Sequence, residues 1–159
     1  MTPAQDVDAN RLFAPWQIPI GGWKSFQDEI NNLASAYPDE SFVWRGQSNA
    51  SWGLQSSLSR ALNELNGTPP DEGTLVRAEK SLLWRARVDW RMDGIKALPL
   101  LAQMQHVGVP TRLLDVTFNP LIAAWFAVAR NKGSDDKAAR LLVFLDNKPL
   151  QLTSLWDTN

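Results

Sequence analysis

The absence of cysteine is the feature that most constrains this chain of 159 residues, and it is joined by a single histidine, His106. Disulfide bonds, thiolate zinc sites, iron–sulfur clusters and cysteine nucleophiles are excluded, and one histidine excludes multi-histidine metal sites. Stability must therefore come from a hydrophobic core. A chain of this length buries roughly 70% of its unfolded surface, so we expect one globular domain with no metal.

Charge and hydropathy narrow the function classes further. The 16 basic and 17 acidic residues give a net charge of −1, which argues against a protein held to nucleic acid by bulk charge. The N-terminus has neither the basic start nor the apolar run of a signal peptide. No segment approaches the roughly 20 apolar residues that span a bilayer. We expect a soluble, cytoplasmic protein with no membrane partner.

Periodicity and chain breakers predict an α+β fold, with helices around a small sheet in a single domain. The prolines and the Gly-Gly pair of residues 1–22 predict an irregular N-terminal arm, and residues 23–159 form the folded domain. The predicted helices are Ser25–Tyr37, Ser57–Leu65, Thr74–Met92, Ile95–Gln105 and Leu121–Arg130, and the predicted strands are Ser41–Trp44 and Arg140–Leu145.

The first candidate site is Trp44-Arg45-Gly46-Gln47, at the end of a predicted strand. The planar guanidinium of Arg45 suits phosphate or carboxylate, and Gly46 lets a ligand approach the backbone closely. The alternative is that Arg45 forms an internal salt bridge, for example with Asp115.

The segment from Gln105 to Pro120 is denser in functional groups. It holds the imidazole of His106, the guanidinium of Arg112, the carboxylate of Asp115 and the hydroxyls of Thr111 and Thr117, on a turn between two predicted helices. His106 alone is more often structural, and Arg112 pairing with Asp115 is the simplest alternative. Taken together, these groups favour a functional site. We expect the loop from Gln105 to Thr117 to meet Arg45 in one cleft, with Asp115 partly buried and hydrogen-bonded.

These motifs resemble the FRG domain, which is named for a Phe-Arg-Gly motif. The resemblance covers about residues 40–146 and rests on three stretches, Trp44–Gln47, Trp52–Arg60 and Gln105–Ala127. Trp44 replaces the phenylalanine of the motif, and Val116 stands where the family often carries tryptophan. The resemblance implies an association with bacterial and phage proteins, including defence contexts such as phage defence and toxin–antitoxin systems.

A weaker similarity of layout links the chain to ADP-ribosyltransferases. Arg45-Gly46 is similar to their first NAD-contacting motif, and Asp115–Thr117 followed by a helix resembles their second motif. Their catalytic glutamate on a late strand has no counterpart, because the acids after Leu145 are Asp146 and Asp157. This similarity implies a truncated ADP-ribosyltransferase-like fold or a degenerate site.

A further pattern is electrostatic. Four cations and an indole recur at alternating spacings of three and four on the longest predicted helix, which places them on one face: Arg77, Lys80, Trp84, Arg87 and Arg91. Such a face can bind a phosphodiester backbone with a base stacked on Trp84. The alternative is a solvated face whose tryptophan packs on a neighbour.

The leading interpretation is a domain that binds a nucleotide or another phosphate-bearing ligand, with NAD as the candidate cofactor. Its candidate ligand-binding residues are Arg45, Gly46, Gln47, His106, Thr111, Arg112, Asp115 and Thr117. If the protein is an enzyme, the resemblance implies ADP-ribosyl transfer or NAD cleavage, with His106, Asp115 and Thr117 as candidate catalytic residues. The alternative is a non-catalytic module that binds nucleic acid or a protein, as a sensor, inhibitor or antitoxin does.

Overall fold

The structure, a computed structural model, describes residues 4–129 and 138–146. Its elements confirm the α+β class. They are α1 (Ala4–Phe13), a 3-10 helix (Ala14–Trp16), α2 (Trp23–Ala36), β1 (Phe42–Gln47), α3 (Ser57–Asn66), α4 (Glu72–Asp89), α5 (Ala97–His106), α6 (Pro120–Val128) and β2 (Arg140–Leu145).

The described residues form two compact units. The sheet unit comprises the residues up to Leu54 and those from Asp115 to Asp146, and the helical unit comprises Gln55–Leu114. The segment Gln105–Pro120 is divided between the units after Leu114, and each unit is described by itself.

The sheet unit is built on an antiparallel pair of strands. β1 and β2 pair in a register that runs from Phe42 opposite Leu145 to Gln47 opposite Arg140. On the other edge of β1, the N–H groups of Trp44 and Thr117 each donate to the other residue's carbonyl, at 2.7 and 2.9 Å. Thr117, near the end of the segment Gln105–Pro120, is therefore held beside the Trp44-Arg45-Gly46 motif.

Helix α6 packs on this sheet through small residues. Ala123 and Ala127 are its buried positions, and they lie over Gly46 of β1. A Cβ atom at residue 46 would overlap the Ala123 carbonyl oxygen and lie 2.7 Å from the Ala127 nitrogen. The expectation that Gly46 admits a ligand is corrected, because the space beside it is filled by the backbone of α6.

The helical unit has an aliphatic core between α4 and α5, formed by Leu83, Ala86, Ala97, Leu100, Leu101 and Met104. Local signals place its helices. The Asp71 carboxylate accepts a hydrogen bond of 2.6 Å from the Thr74 N–H at the start of α4. The hydroxyl of Thr74, and then this N–H, lower the pKa of Asp71. Gly67, with φ of 72°, ends α3.

Several predicted boundaries were wrong. The arm is not irregular throughout, since residues 4–16 form α1 and the 3-10 helix. Helix α4 ends at Asp89 rather than Met92, and Arg91 beyond it has a left-handed φ of 53°. Helix α5 begins at Ala97 because the preceding residues pass through a turn at Gly94, with φ of 82°. Arg130 and Asp157 lie outside the described residues.

Two features of the described residues bear on the class of function. None of the helices in this part of the chain combines the length and apolar character needed to cross a membrane. In the same residues, no group of three histidine, aspartate or glutamate side chains is close enough to hold a metal ion.

Candidate ligand-binding site

Arg45 connects the two sequence motifs within the sheet unit. It lies half-buried in β1, and its Nη1 donates a hydrogen bond of 2.7 Å to the backbone carbonyl of Asp115. Next to it in the chain, Trp44 forms the bridge to Thr117. Arg45 therefore contacts the segment at Asp115, and the cleft expected between Arg45 and the residues from Gln105 to Thr117 stays a prediction.

The expected burial of Asp115 was wrong. Asp115 is exposed, and so is the neighbouring Val116. Flanking apolar residues predict burial only where a strand pairs continuously, and this segment makes a single bridge at Thr117. The side chains of Asp115 and Val116, before the bridge, therefore reach solvent.

Strand pairing brings Arg140, which sequence reasoning did not select, to the candidate site. Arg140 lies directly opposite Gln47, so their side chains lie on the same face of the sheet. Alternation along β1 places Arg45 on that face as well, in the diagonal position relative to Arg140. We call Arg45, Gln47 and Arg140 the arginine face. Gly46 points to the opposite side of the sheet, where α6 packs.

The guanidinium of Arg140 is buried without a carboxylate partner among the described residues. Only 7% of the residue is exposed. Nη2 donates to Asn10 Oδ1 at 2.8 Å, the guanidinium carbon lies 4.7 Å from the centroid of the Phe13 ring, and Nη1 has no hydrogen-bond partner in the described part. Burial lowers the pKa of Arg140, but an arginine stays charged at neutral pH. The arginine face thus contains a desolvated cation.

Gln47 supplies a second unsatisfied group on this face. It is 6% exposed, and its Nε2 donates to the Gly53 carbonyl at 3.3 Å. Its Oε1 is buried and has no hydrogen-bond partner among the described residues. Buried polar atoms are usually paired, so the arginine face carries one acceptor and one donor whose hydrogen-bonding capacity is unused within the described residues.

Arg112 occupies a different environment, in the helical unit. Its Nη2 donates to both carboxylate oxygens of Glu72, at 2.9 and 3.1 Å, and its Nη1 lies 3.8 Å from Glu79 Oε2. Glu79 is 3% exposed, and burial raises its pKa while Arg112 opposes the rise. The carboxylates that pair with Arg112 are therefore on α4, which corrects the alternative that it pairs with Asp115.

Thr111 holds the motif loop in place. It is completely buried, its Oγ1 donates to Gln105 Oε1 at 2.6 Å, and its N–H donates to Ser57 Oγ at 2.9 Å. Its carbonyl accepts from the Leu58 N–H at 3.0 Å. With the hydroxyl engaged inside the unit, this placement argues for a structural role rather than ligand contact.

His106 is exposed at the end of α5. It borders an open groove of about 680 Å³ whose other lining residues are Trp90, Met92, Ala102, Gln103 and Val107. The groove lining is almost entirely apolar. A catalytic or binding role for His106 stays a prediction.

The basic face predicted for the longest helix exists on α4 for four of its five members. Arg77, Lys80 and Arg87 are exposed, and Trp84 is 63% exposed, which corrects the alternative in which the indole packs on a neighbour. Arg91 lies beyond the end of α4 and is not part of that face.

The ADP-ribosyltransferase layout finds no support in the described residues. The segment Asp115–Thr117, which should form a strand, contributes one isolated bridge, and the sheet in this part of the chain has two strands. Among the described residues the buried carboxylate is that of Glu79. It lies on α4, whereas the catalytic glutamate of the transferases lies on a late strand.

Comparison with known proteins agrees with the motifs. Neither the curated proteins nor the solved structures include a match to this chain. The model of the FRG domain matches residues 40–136, a range that contains β1, Arg45 and the complete segment from His106 to Ala127, and that ends four residues before Arg140. Because the match covers more than half of the sequence, the chain belongs to the FRG domain family.

Proposed function

We propose that this FRG domain binds a phosphate-bearing small molecule, most readily a nucleotide, at the arginine face. The observation that carries the proposal is the guanidinium of Arg140, which is buried without a carboxylate and has an unpaired Nη1 in the described part. Burying a cation is costly unless an anion compensates it. A bound phosphate would remove that cost.

The chemistry of the face fits the parts of a nucleotide. Guanidinium groups bind phosphate oxygens through paired N–H donors, and strand pairing places Arg45 and Arg140 on one face of the sheet. Gln47 Oε1 is an acceptor that a ribose hydroxyl or a base amino group can satisfy.

NAD is the nucleotide to test first, since its pyrophosphate can engage both arginines. If NAD is also consumed, the reaction would be cleavage of its glycosidic bond or transfer of ADP-ribose, with His106, Asp115 and Thr117 as the candidates for catalysis. A role in bacterial or phage defence would follow from such a reaction and from family membership.

Calorimetric titration with ADP, NAD, pyrophosphate and adenosine tests the proposal. We expect the three phosphate-bearing probes to bind and adenosine not to bind. R45M and R140M should each weaken ADP binding by about 10-fold or more, because hydrogen bonds to charged groups contribute about 1.5–3 kcal/mol. The matched control is R60M, which removes an exposed arginine on α3 that donates to the Gln55 carbonyl.

Two results would overturn the proposal. One is adenosine binding as tightly as ADP, which would show that phosphate is not recognised. The other is R140M retaining wild-type affinity for ADP while its circular dichroism spectrum is unchanged.

A second candidate function is binding of single-stranded nucleic acid on α4. The observation in its favour is the 63% exposed indole of Trp84 between the exposed cations Lys80 and Arg87. Bases stack on such rings while cations contact the backbone. Anisotropy of a labelled oligothymidine should show affinity falling between about 50 and 200 mM salt, and R87A should reduce the salt slope by about 1. The control R85A removes an exposed cation outside this face and should leave the slope unchanged.

A further inference from the structure

Helix α6 is apolar around its whole circumference. From Pro120 to Val128 it carries no charged side chain, and only the indole N–H of Trp125 is polar. Helices of this kind are normally buried on all sides. In this structure, the sheet covers only the strip that contains the buried residues Ala123 and Ala127.

The remaining surface of α6 is open to solvent. At 100° per residue, its exposed positions span an arc of about 160° from Val128 to Phe126. The exposed fractions are Leu121 50%, Ile122 46%, Trp125 62%, Phe126 57% and Val128 72%, with Phe118 at 72% just before the helix. We call these six residues the α6 outer face.

The α6 outer face is large enough to form a protein–protein interface. Aromatic side chains each bury about 150–250 Å², so three largely exposed rings and three aliphatic chains present roughly 800 Å² of apolar surface. The largest apolar patch of a typical monomer is about 300–600 Å². A stable interface takes about 800 Å² from each partner, which the α6 outer face supplies alone.

We propose that two copies of this chain pair through the α6 outer face about a two-fold axis. A two-fold interface requires one patch that complements itself, and an uncharged apolar helix meets that requirement because no like charges are brought together. The absence of charge on α6 also gives it no means to select a partner by charge complementarity. The inference is independent of the proposed nucleotide binding, which uses the opposite side of the sheet.

Sedimentation velocity over a range of concentrations tests the pairing directly. The full chain should sediment as a dimer, and W125E should raise the dimer dissociation constant by roughly 30-fold or more, as expected for a central aromatic anchor. The matched control W23E places the same charge at a tryptophan of equal exposure, 61% against 62%, on α2. It should leave the dimer intact. A wild-type monomer at the highest concentration, or a dimer unaffected by W125E, would overturn the proposal, as would open-ended oligomers.

Disulfide trapping keeps the inference testable if W125E fails to fold. The chain has no cysteine, so L121C and I122C, introduced singly on either side of Trp125 on the helix surface, report contacts without competing thiols. At least one of them should form a covalent dimer faster than V88C, a control of similar exposure on α4. Equal rates for all three variants would contradict pairing through α6.

Discussion

Arg112 and Arg140 show how two arginines in one chain can be given opposite roles. Arg112 belongs to the family motif, and its charge is compensated by Glu72 and by the buried Glu79. Arg140 lies outside the matched region, and its described neighbours, Asn10 and Phe13, are uncharged. The first guanidinium is used to hold a helix to a loop, whereas the second retains a capacity for an anion. A motif residue is therefore not automatically the residue that contacts a ligand.

The largest expected effect comes from Gly46, which lies in β1 between Arg45 and Gln47. G46A places a Cβ against the backbone of α6 and should lower the free energy of unfolding by about 3 kcal/mol or more, since close packing cannot relax around a backbone clash. Urea unfolding measures this change. G73A on α4 is the control, because a Cβ there meets only the flexible Arg77 side chain, at 3.3 Å, and the Asp71 carboxylate, at 3.7 Å. An equal loss of stability in both variants would contradict the prediction that the backbone of α6 leaves no room for a Cβ atom at residue 46.

The substitution R112M should destabilise the protein by about 3 kcal/mol at neutral pH. It leaves the carboxylate of Glu79 buried without its cation, and an unpaired buried charge is costly. Thermal or urea unfolding measures the loss. The double variant R112M/E79Q should recover much of the stability, because no charge is then left unpaired. Failure of E79Q to rescue R112M would mean that the Glu72 contact accounts for the whole effect.

The pH dependence of stability should reveal Glu79 directly. Burial raises the pKa of Glu79 in the folded state above its unfolded value, so its contribution is fully present below the unfolded pKa and is lost as pH rises through the folded pKa. E79Q should remove this loss, so the stability difference between the two proteins should change as the pH rises from acid to neutral. Urea unfolding of both proteins across this range measures the difference. A constant difference across the range would place Glu79 in a solvated setting.

The smallest expected effect on stability belongs to R140M. Replacing an uncompensated buried cation by an apolar side chain of similar length should change the free energy of unfolding by no more than about 1 kcal/mol. Arginine-to-methionine substitution thus has a large effect on stability at residue 112 and a small effect at residue 140. Of these two variants, R140M is the one that should weaken ADP binding. Strong destabilisation by R140M would indicate that Arg140 is structural, and the comparison would fail.

Local signals in the sequence were sufficient for several elements. Asn119 followed by proline marks the start of α6, and its Oδ1 accepts from the Leu121 N–H at 2.9 Å. Asp71 likewise marks the start of α4. These contacts join residues two or three positions apart, so the pattern of residue types contains the information needed to predict them.

The arginine face depends on information that is not local. Gln47 and Arg140 are 93 positions apart, and their pairing follows from the register of β1 and β2, which no turn between them fixes. The exposure of Asp115 depends in the same way on where pairing with β1 stops. The end of α4 at Asp89 was also missed, because the left-handed residue beyond it is Arg91 rather than glycine.

The contacts of Arg140 with the N-terminal arm have a kinetic consequence for the proposed binding. Asn10 occupies Nη2 and the ring of Phe13 lies over the guanidinium, so a phosphate that bound to Arg140 as proposed would compete with α1 for the same cation. Association would then be limited by the rate at which the arm moves aside, and the observed binding rate would level off as ligand concentration rises. Removal of residues 1–16 would convert this saturating dependence into a linear one, because no movement of the arm would then limit the rate of binding.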